Sequence, residues 1–171
     1  MPAMYYEKVF HTFRKYGVRY LIAGGMAVNL YGVPRFTKDL DILIDPSTAN
    51  LSRLKKAVLA LGLRPKIPVS IEEFLLPANW KKWKQTKGMA ALTLFHPKKP
   101  YEEIDLLVNL PLTYAKARKR SIRMKEGGLT LPLVSIQDLI GMKVHAGRMQ
   151  DHSDILALKQ VIRESDGERY A

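Results

Sequence analysis

The stretch from Gly24 to Asp45, GGMAVNLYGVPRFTKDLDILID, constrains this chain more than any other. It is preceded by Val18-Arg19-Tyr20-Leu21-Ile22-Ala23, an apolar, β-favouring run that ends at a pair of glycines. The order predicts a strand (Val18 to Ala23), a glycine turn opening a short helix to about Tyr31, and a second strand from Asp39 to Ile44. Pro34 disfavours helical backbone at Val33, so the helix ends there. Along a strand, residues two apart face the same way. Asp39 and Asp41 therefore project side by side, while Leu40 and Ile42 face the opposite side. Adjacent carboxylates repel unless positive charge sits between them, and hard divalent ions with oxygen ligands supply it. The plain alternative for an Asp-x-Asp pair is a solvated strand end.

A third acid stands in a comparable setting. Glu102 to Val108 reads as a strand, and Asp105 lies within Ile104-Asp105-Leu106-Leu107. A carboxylate amid aliphatic residues is costly unless paired or metal-bound. Glu103 competes for the same role, although Asp105 has the more apolar flanks. Met89 to Phe95 is the neighbouring strand, joined by a turn at His96-Pro97-Lys98-Lys99-Pro100.

A Gly-Gly pair on a short helix, Asp-x-Asp on the next strand and a later strand carboxylate together resemble the DNA polymerase β-like nucleotidyltransferase superfamily. Within it the chain is similar to the small prokaryotic nucleotidyltransferases related to the AbiEii toxins of toxin–antitoxin systems. The resemblance implies an α/β (α+β) fold with a mixed central sheet flanked by helices and C-terminal helices. It implies transfer of NMP from an NTP to a hydroxyl, with Asp39, Asp41 and Asp105 as catalytic residues. These three would hold two Mg2+ ions, with Mn2+ as the substitute, and two ions ~4 Å apart clamp the attacking and leaving oxygens in such reactions. Gly24 and Gly25 would let backbone N–H groups approach phosphate. Gly25 stands where the family often has serine, so no hydroxyl is supplied there. Arg35 and Thr37 are nucleotide-binding candidates, and a plain surface role explains either equally well. Asp138-Leu139-Ile140-Gly141-Met142-Lys143 with Gly147-Arg148 and Asp151 resembles a C-terminal segment of the AbiEii-like enzymes, in which Lys143 would face the nucleotide. Lys143 adjoins its helix's apolar face, and the other reading is a lysine that snorkels to solvent.

The remaining chain gives an amphipathic N-terminal helix on Tyr6, Val9, Phe10 and Phe13. Asp45-Pro46 reads as a helix start carrying Leu51, Leu54, Val58 and Leu61. The segment 64–87 is irregular, with one or two helical turns at Ile71 to Leu76. Pro111 to Lys119 can be helical, and a hairpin turns at Gly127-Gly128. Ser135 with Asp138 resembles a capping box. The last helix spans Asp151 to Arg163, with Asp151 and Asp154 complementing its dipole, and Ser165 to Ala171 fray. All 171 residues read as one nucleotidyltransferase domain, with a core of about 18–134 and a helical part of about 135–164.

Twenty-eight basic against sixteen acidic residues leave +12, a surplus that favours an anionic partner. Two tracts suit one: Trp80 to Lys87, where two tryptophans interleave with lysines, and the basic run Lys116 to Lys125. Each reads equally well as a solvated helix face. No cysteine, no apolar run near the ~18 residues of a membrane span and no secretory leader in MPAMYYEKVF fit a cytoplasmic protein. The partners expected are an NTP and either RNA, such as a tRNA end, or a cognate antitoxin or other partner protein, with no membrane. The alternatives are an enzyme modifying an aminoglycoside- or lincosamide-like drug, which a basic chain disfavours, and a non-catalytic nucleic-acid-binding module on the same fold.

Overall fold

The computed structural model describes residues 6–170. Residues 1–5 and 171 lie outside it, and with them half of the leader stretch MPAMYYEKVF; of the segment Ser165 to Ala171 expected to fray, residues 165–170 continue the last helix. The elements are α1 (Glu7–Tyr16), β1 (Tyr20–Ala23), α2 (Gly24–Leu30), β2 (Leu40–Ile44), α3 (Thr48–Leu61), β3 (Arg64–Pro65), α4 (Ile71–Phe74), α5 (Pro77–Lys87), β4 (Ala91–His96), β5 (Lys99–Leu107), α6 (Tyr114–Arg120), β6 (Ile122–Glu126), β7 (Leu129–Leu133), α7 (Ile136–Ala146) and α8 (Met149–Tyr170).

The seven strands form one mixed sheet in the order β3-β4-β5-β2-β1-β7-β6. β1 runs antiparallel to β2 and parallel to β7, and β2 runs parallel to β5. The fold class is therefore the expected mixed α/β arrangement, with α7 and α8 following the sheet.

Amphipathic spacing explains the core. Val9, Phe10 and Phe13 lie on one face of α1 and are buried, and α1 packs beside α3. Phe13 meets Tyr20 of β1 edge to face at 5.0 Å. Burying each such side chain stabilises the fold by ~1.5–3 kcal/mol. Asn50, fully buried, ties α3 to the sheet. Its side chain accepts from Arg19 N at 2.7 Å and donates to Arg19 O and Asp45 O.

Several local expectations change. The cap of α3 is Ser47, whose hydroxyl accepts from Asn50 N, and not Asp45. Asp45 instead accepts from Ser47 N and pairs with Arg19 at 2.8 Å. Ser135 caps α7 as expected, accepting from Asp138 N, while the Asp138 carboxylate binds Arg120 rather than closing a box. The irregular segment holds an eleven-residue helix, α5, started by Pro77 in its first turn. Trp80 and Trp83 lie one helical turn apart on its inner face and are buried, Trp80 donating from Nε1 to Phe74 O at 2.7 Å. The tryptophan–lysine tract is thus a core-facing helix with its lysines in solvent. α8 is longer than expected at both ends.

Candidate active site

The carboxylates are placed by strand register. Ala23, Asp41, Asp105 and Thr93 form one row across β1, β2, β5 and β4. Asp41 and Asp105 are direct neighbours across parallel strands and face the same side. Asp39 comes just before Leu40, which pairs with Ile104. From residue 31 to residue 39 exposure alternates strictly, with Arg35, Thr37 and Asp39 half-buried and Phe36 and Lys38 exposed.

The two glycines at the start of α2 make room for this row. Gly24 has φ +60°, in the left-handed region, and a Cβ there would fall 1.8 Å from Asp41 Oδ2. A Cβ on Gly25 would fall 2.6 Å from Thr37 Oγ1 and 3.2 Å from Arg35 Cζ. Gly-Gly is therefore required for close approach as well as for turning, and serine at position 25 would displace Thr37 or Arg35.

Electrostatically the row is unbalanced. Burial, then the charges of Asp105 and Asp39, push Asp41 up to about 7. Asp39 is raised by burial, then by Asp105 and Glu103. Asp39 Oδ1 is buried with no hydrogen-bond partner among the described residues. Thr93 Oγ1 donates to Asp105 Oδ1 at 2.6 Å, and Glu103, the rival acid, is held by Lys66 Nζ at 2.6 Å. A half-buried carboxylate pair with an orphaned oxygen suits a hard cation in its donor chemistry. As they stand, no three acidic or histidine side chains among the described residues are gathered into a ligand set. Thr93 engages only the Oδ1 of Asp105, and a carboxylate has a second oxygen to offer.

All eight residues singled out in the sequence line one cavity of about 720 Å³. Its lining also takes in Lys38, the apolar residues Ala90, Ala91, Leu107, Leu110, Pro111 and Leu112, and residues of α7.

Lys143 does not snorkel. It is 4% exposed, and its Nζ binds Asp151 Oδ1 at 3.2 Å and Asp154 Oδ2 at 2.7 Å. Arg35 Nη1 binds the same Asp154 oxygen at 2.6 Å, and Arg148 Nε binds Asp151 at 2.9 Å. Asp151 lies in the first turn of α8, as the dipole reading expects, but both Asp151 and Asp154 are also buried partners of three cations, which that reading did not include. Burial alone would raise Asp151, but hydrogen bonds from Arg148 and Lys143 outweigh it and hold the carboxyl below its usual range. A sequence signal for this existed. Asp151, Asp154 and Leu158 fall at i, i+3 and i+7, so both acids extend the stripe that buries Leu158. Thr93, which grips Asp105, and Asn29, whose Oδ1 accepts from Arg35 N at 3.0 Å, carried no signal.

Solved structures share this architecture. The lincosamide antibiotic adenylyltransferase LnuA, solved with lincomycin bound, is similar with TM-score 0.58 at 17% identity, over 91% of this chain and 96% of that one. ANT(2'')-Ia, solved with adenylyl-2''-tobramycin, has TM-score 0.60 at 14% identity and covers 98% of each chain. An antigenic nucleotidyltransferase-like protein from Paracoccidioides brasiliensis has TM-score 0.51 at 19% identity, over 88% of this chain and 71% of that one. At such identities the likeness establishes the fold alone. No curated protein matches the sequence significantly. The model of the nucleotidyl transferase AbiEii toxin family, of type IV toxin–antitoxin systems, matches residues 11–171. With nearly the whole chain inside that match, the protein belongs to the AbiEii family of nucleotidyltransferases.

Proposed function

We propose that the chain is a metal-dependent enzyme that transfers NMP from an NTP to a hydroxyl of RNA, a tRNA end being the favoured acceptor. The observation that carries the reading is the convergence in one cavity of Asp39, Asp41 and Asp105 with the Gly24-Gly25 turn and the cations Arg35 and Lys143. Asp39, Asp41 and Asp105 would hold Mg2+ or Mn2+. A bound divalent ion supplies charge neutralisation on the phosphates and lowers the pKa of the attacking hydroxyl.

This chain's own residues do the positioning. The backbone at Gly24 and Gly25 receives phosphate oxygens, and Thr37 offers its hydroxyl beside them. Lys143 and Arg35, oriented by Asp151 and Asp154, present fixed positive charge to the triphosphate without reorganising. The acceptor oxygen bonds to the α-phosphorus, the bond to the bridging oxygen breaks, and pyrophosphate leaves. Asp105 would take the hydroxyl proton. The reading takes the chain as a single catalytic domain, working in the cytoplasm beside a cognate antitoxin. Among the described residues no helix is long and apolar enough to cross a membrane.

A second reading, a small apolar acceptor, is favoured by Leu107, Leu110, Pro111 and Leu112 in the cavity lining. A polycationic drug suits it less, because Asp138 and Asp151 are committed to Arg120 and to Lys143 and Arg148.

The test is incubation with each α-labelled NTP, Mg2+ and total RNA, beside an Asp39→Ala/Asp41→Ala control. Label on RNA that vanishes in the control supports the reading and identifies the base. Magnesium-dependent NTP binding without RNA label turns the acceptor to protein or drug. Absence of NTP binding refutes catalysis and leaves a binding module.

A further inference from the structure

Phe36 is a large aromatic that the fold leaves 87% exposed, at the mouth of the cavity whose wall it helps to form. Single exposed apolar residues are ordinary on protein surfaces. The segment that carries this one is not. On one side, Arg35 N donates to Asn29 Oδ1, and the Arg35 guanidinium is locked on Asp154 while its Nε donates to Phe36 O at 3.2 Å. On the other side, the Lys38 carbonyl accepts from the buried Tyr6 hydroxyl at 2.6 Å. Thr37, between them, is packed against the Gly25 turn. The backbone under the ring is thus fixed at both ends.

The alternating exposure of residues 31–39 turns Arg35, Thr37 and Asp39 inward and presents Phe36 and Lys38 together at the rim. An aromatic face beside a lysine, on fixed backbone and on a chain of net charge +12, is the chemistry that holds unpaired nucleotides: ring on base, ammonium on phosphate. Because the ring stands in solvent at the rim, a strand too large to enter the cavity can reach it while its terminal hydroxyl extends towards Asp105.

We infer that Phe36 is a stacking platform for a nucleobase near the single-stranded end of the acceptor RNA, with Lys38 contacting an adjoining phosphate. The inference rests on the RNA reading above and adds a residue that the Gly-Gly and Asp-x-Asp pattern does not specify. Since Phe36 packs into nothing, its replacement leaves the fold intact, and matched melting temperatures verify this.

The experiment compares wild type, Phe36→Ala, Phe36→Leu and Phe36→Trp, measuring anisotropy of a labelled single-stranded RNA and, separately, equilibrium binding of Mg·NTP. Phe36→Ala and Phe36→Leu are expected to weaken RNA binding about tenfold or more, the size of one lost aromatic–base stack. Phe36→Trp is expected to restore it, with indole fluorescence quenched on RNA addition, and NTP binding is expected to stay within twofold throughout. RNA binding by Phe36→Ala within twofold of wild type overturns the inference and leaves the proposed function standing. A loss confined to NTP binding also overturns it, moving the ring to the donor base. A wild-type protein that neither binds nor labels RNA overturns the acceptor assignment and this inference together.

Discussion

Replacing Asp41 by asparagine is expected to stabilise the metal-free protein while abolishing its activity. Asp41 is pushed up to about 7, against 3.8 for an ordinary aspartate. At pH values below ~4 the carboxyl is protonated in folded and unfolded chains alike, and it contributes nothing to the pH dependence. Between ~4 and ~7 the folded chain keeps a proton that the unfolded chain has released. Stability therefore falls as pH rises, by ~1.4 kcal/mol per unit. Above ~7 the full penalty applies, with a ceiling of ~4 kcal/mol for a gap of about three units. Asp39 and Asp105 share the repulsion and relax when Asp41 is neutralised, so the expected gain at pH 8 is ~2–4 kcal/mol. For a chain of this length that is about 4–16 °C in Tm. The assay is thermal unfolding of wild type and Asp41→Asn in EDTA at pH 8 and near pH 4.5. The gain should be present at pH 8 and shrink below ~1 kcal/mol at the lower pH. A gain of the same size at both pH values, or none at pH 8, would refute the argument that buried like charges destabilise this row.

Magnesium should raise the Tm of wild type in proportion to ln(1 + [Mg2+]/Kd), and this shift should disappear in Asp39→Ala/Asp41→Ala, as differential scanning fluorimetry will read. Asp154→Ala strips a buried carboxylate from Lys143 and Arg35, and a loss of ~3–5 kcal/mol in urea unfolding is expected, far above that of an exposed pair such as Lys55–Glu72. Gly24→Ala places a methyl group on Asp41 and strains a left-handed residue; magnesium binding by calorimetry should be lost, with ~1 kcal/mol or more of stability. Trp83→Ala should cost ~3–5 kcal/mol, whereas Lys82→Ala and Lys84→Ala should leave stability within ~0.5 kcal/mol by chemical denaturation.

What the sequence disclosed was local. Strand, glycine turn, helix and strand follow from alternation and breakers within a few residues of Gly24, and the family pattern lies in the same stretch. Strand parity alone put Asp39 and Asp41 on one face. What it concealed were partners far along the chain. Asp154 reaches Arg35 across 119 positions; the stripe it shares with Leu158 marks it as buried, but nothing local names Lys143 and Arg35 as its partners. Trp80 and Trp83 illustrate a different loss. Their one-turn spacing indicates a buried face, but the interleaved lysines and the prolines nearby obscured the helix that carries them. Asp45 lost the capping role because Ser47, two residues on, reaches Asn50 N, leaving the aspartate to Arg19.

The pairing of Arg35 and Lys143 with α8 has a temporal side. A chain leaves the ribosome from its N-terminus, so the Gly-Gly turn and all three aspartates of the sheet emerge well before Asp151 and Asp154. Until those two arrive, Lys143 and Arg35 have no counter-charge to orient them and one wall of the cavity is unfinished. A nascent chain, or one cut ahead of Asp151, would carry the acidic row without the ordered cations. For a member of a toxin family, the two cations of the cavity acquire their shared counter-charge only when synthesis has passed Asp154.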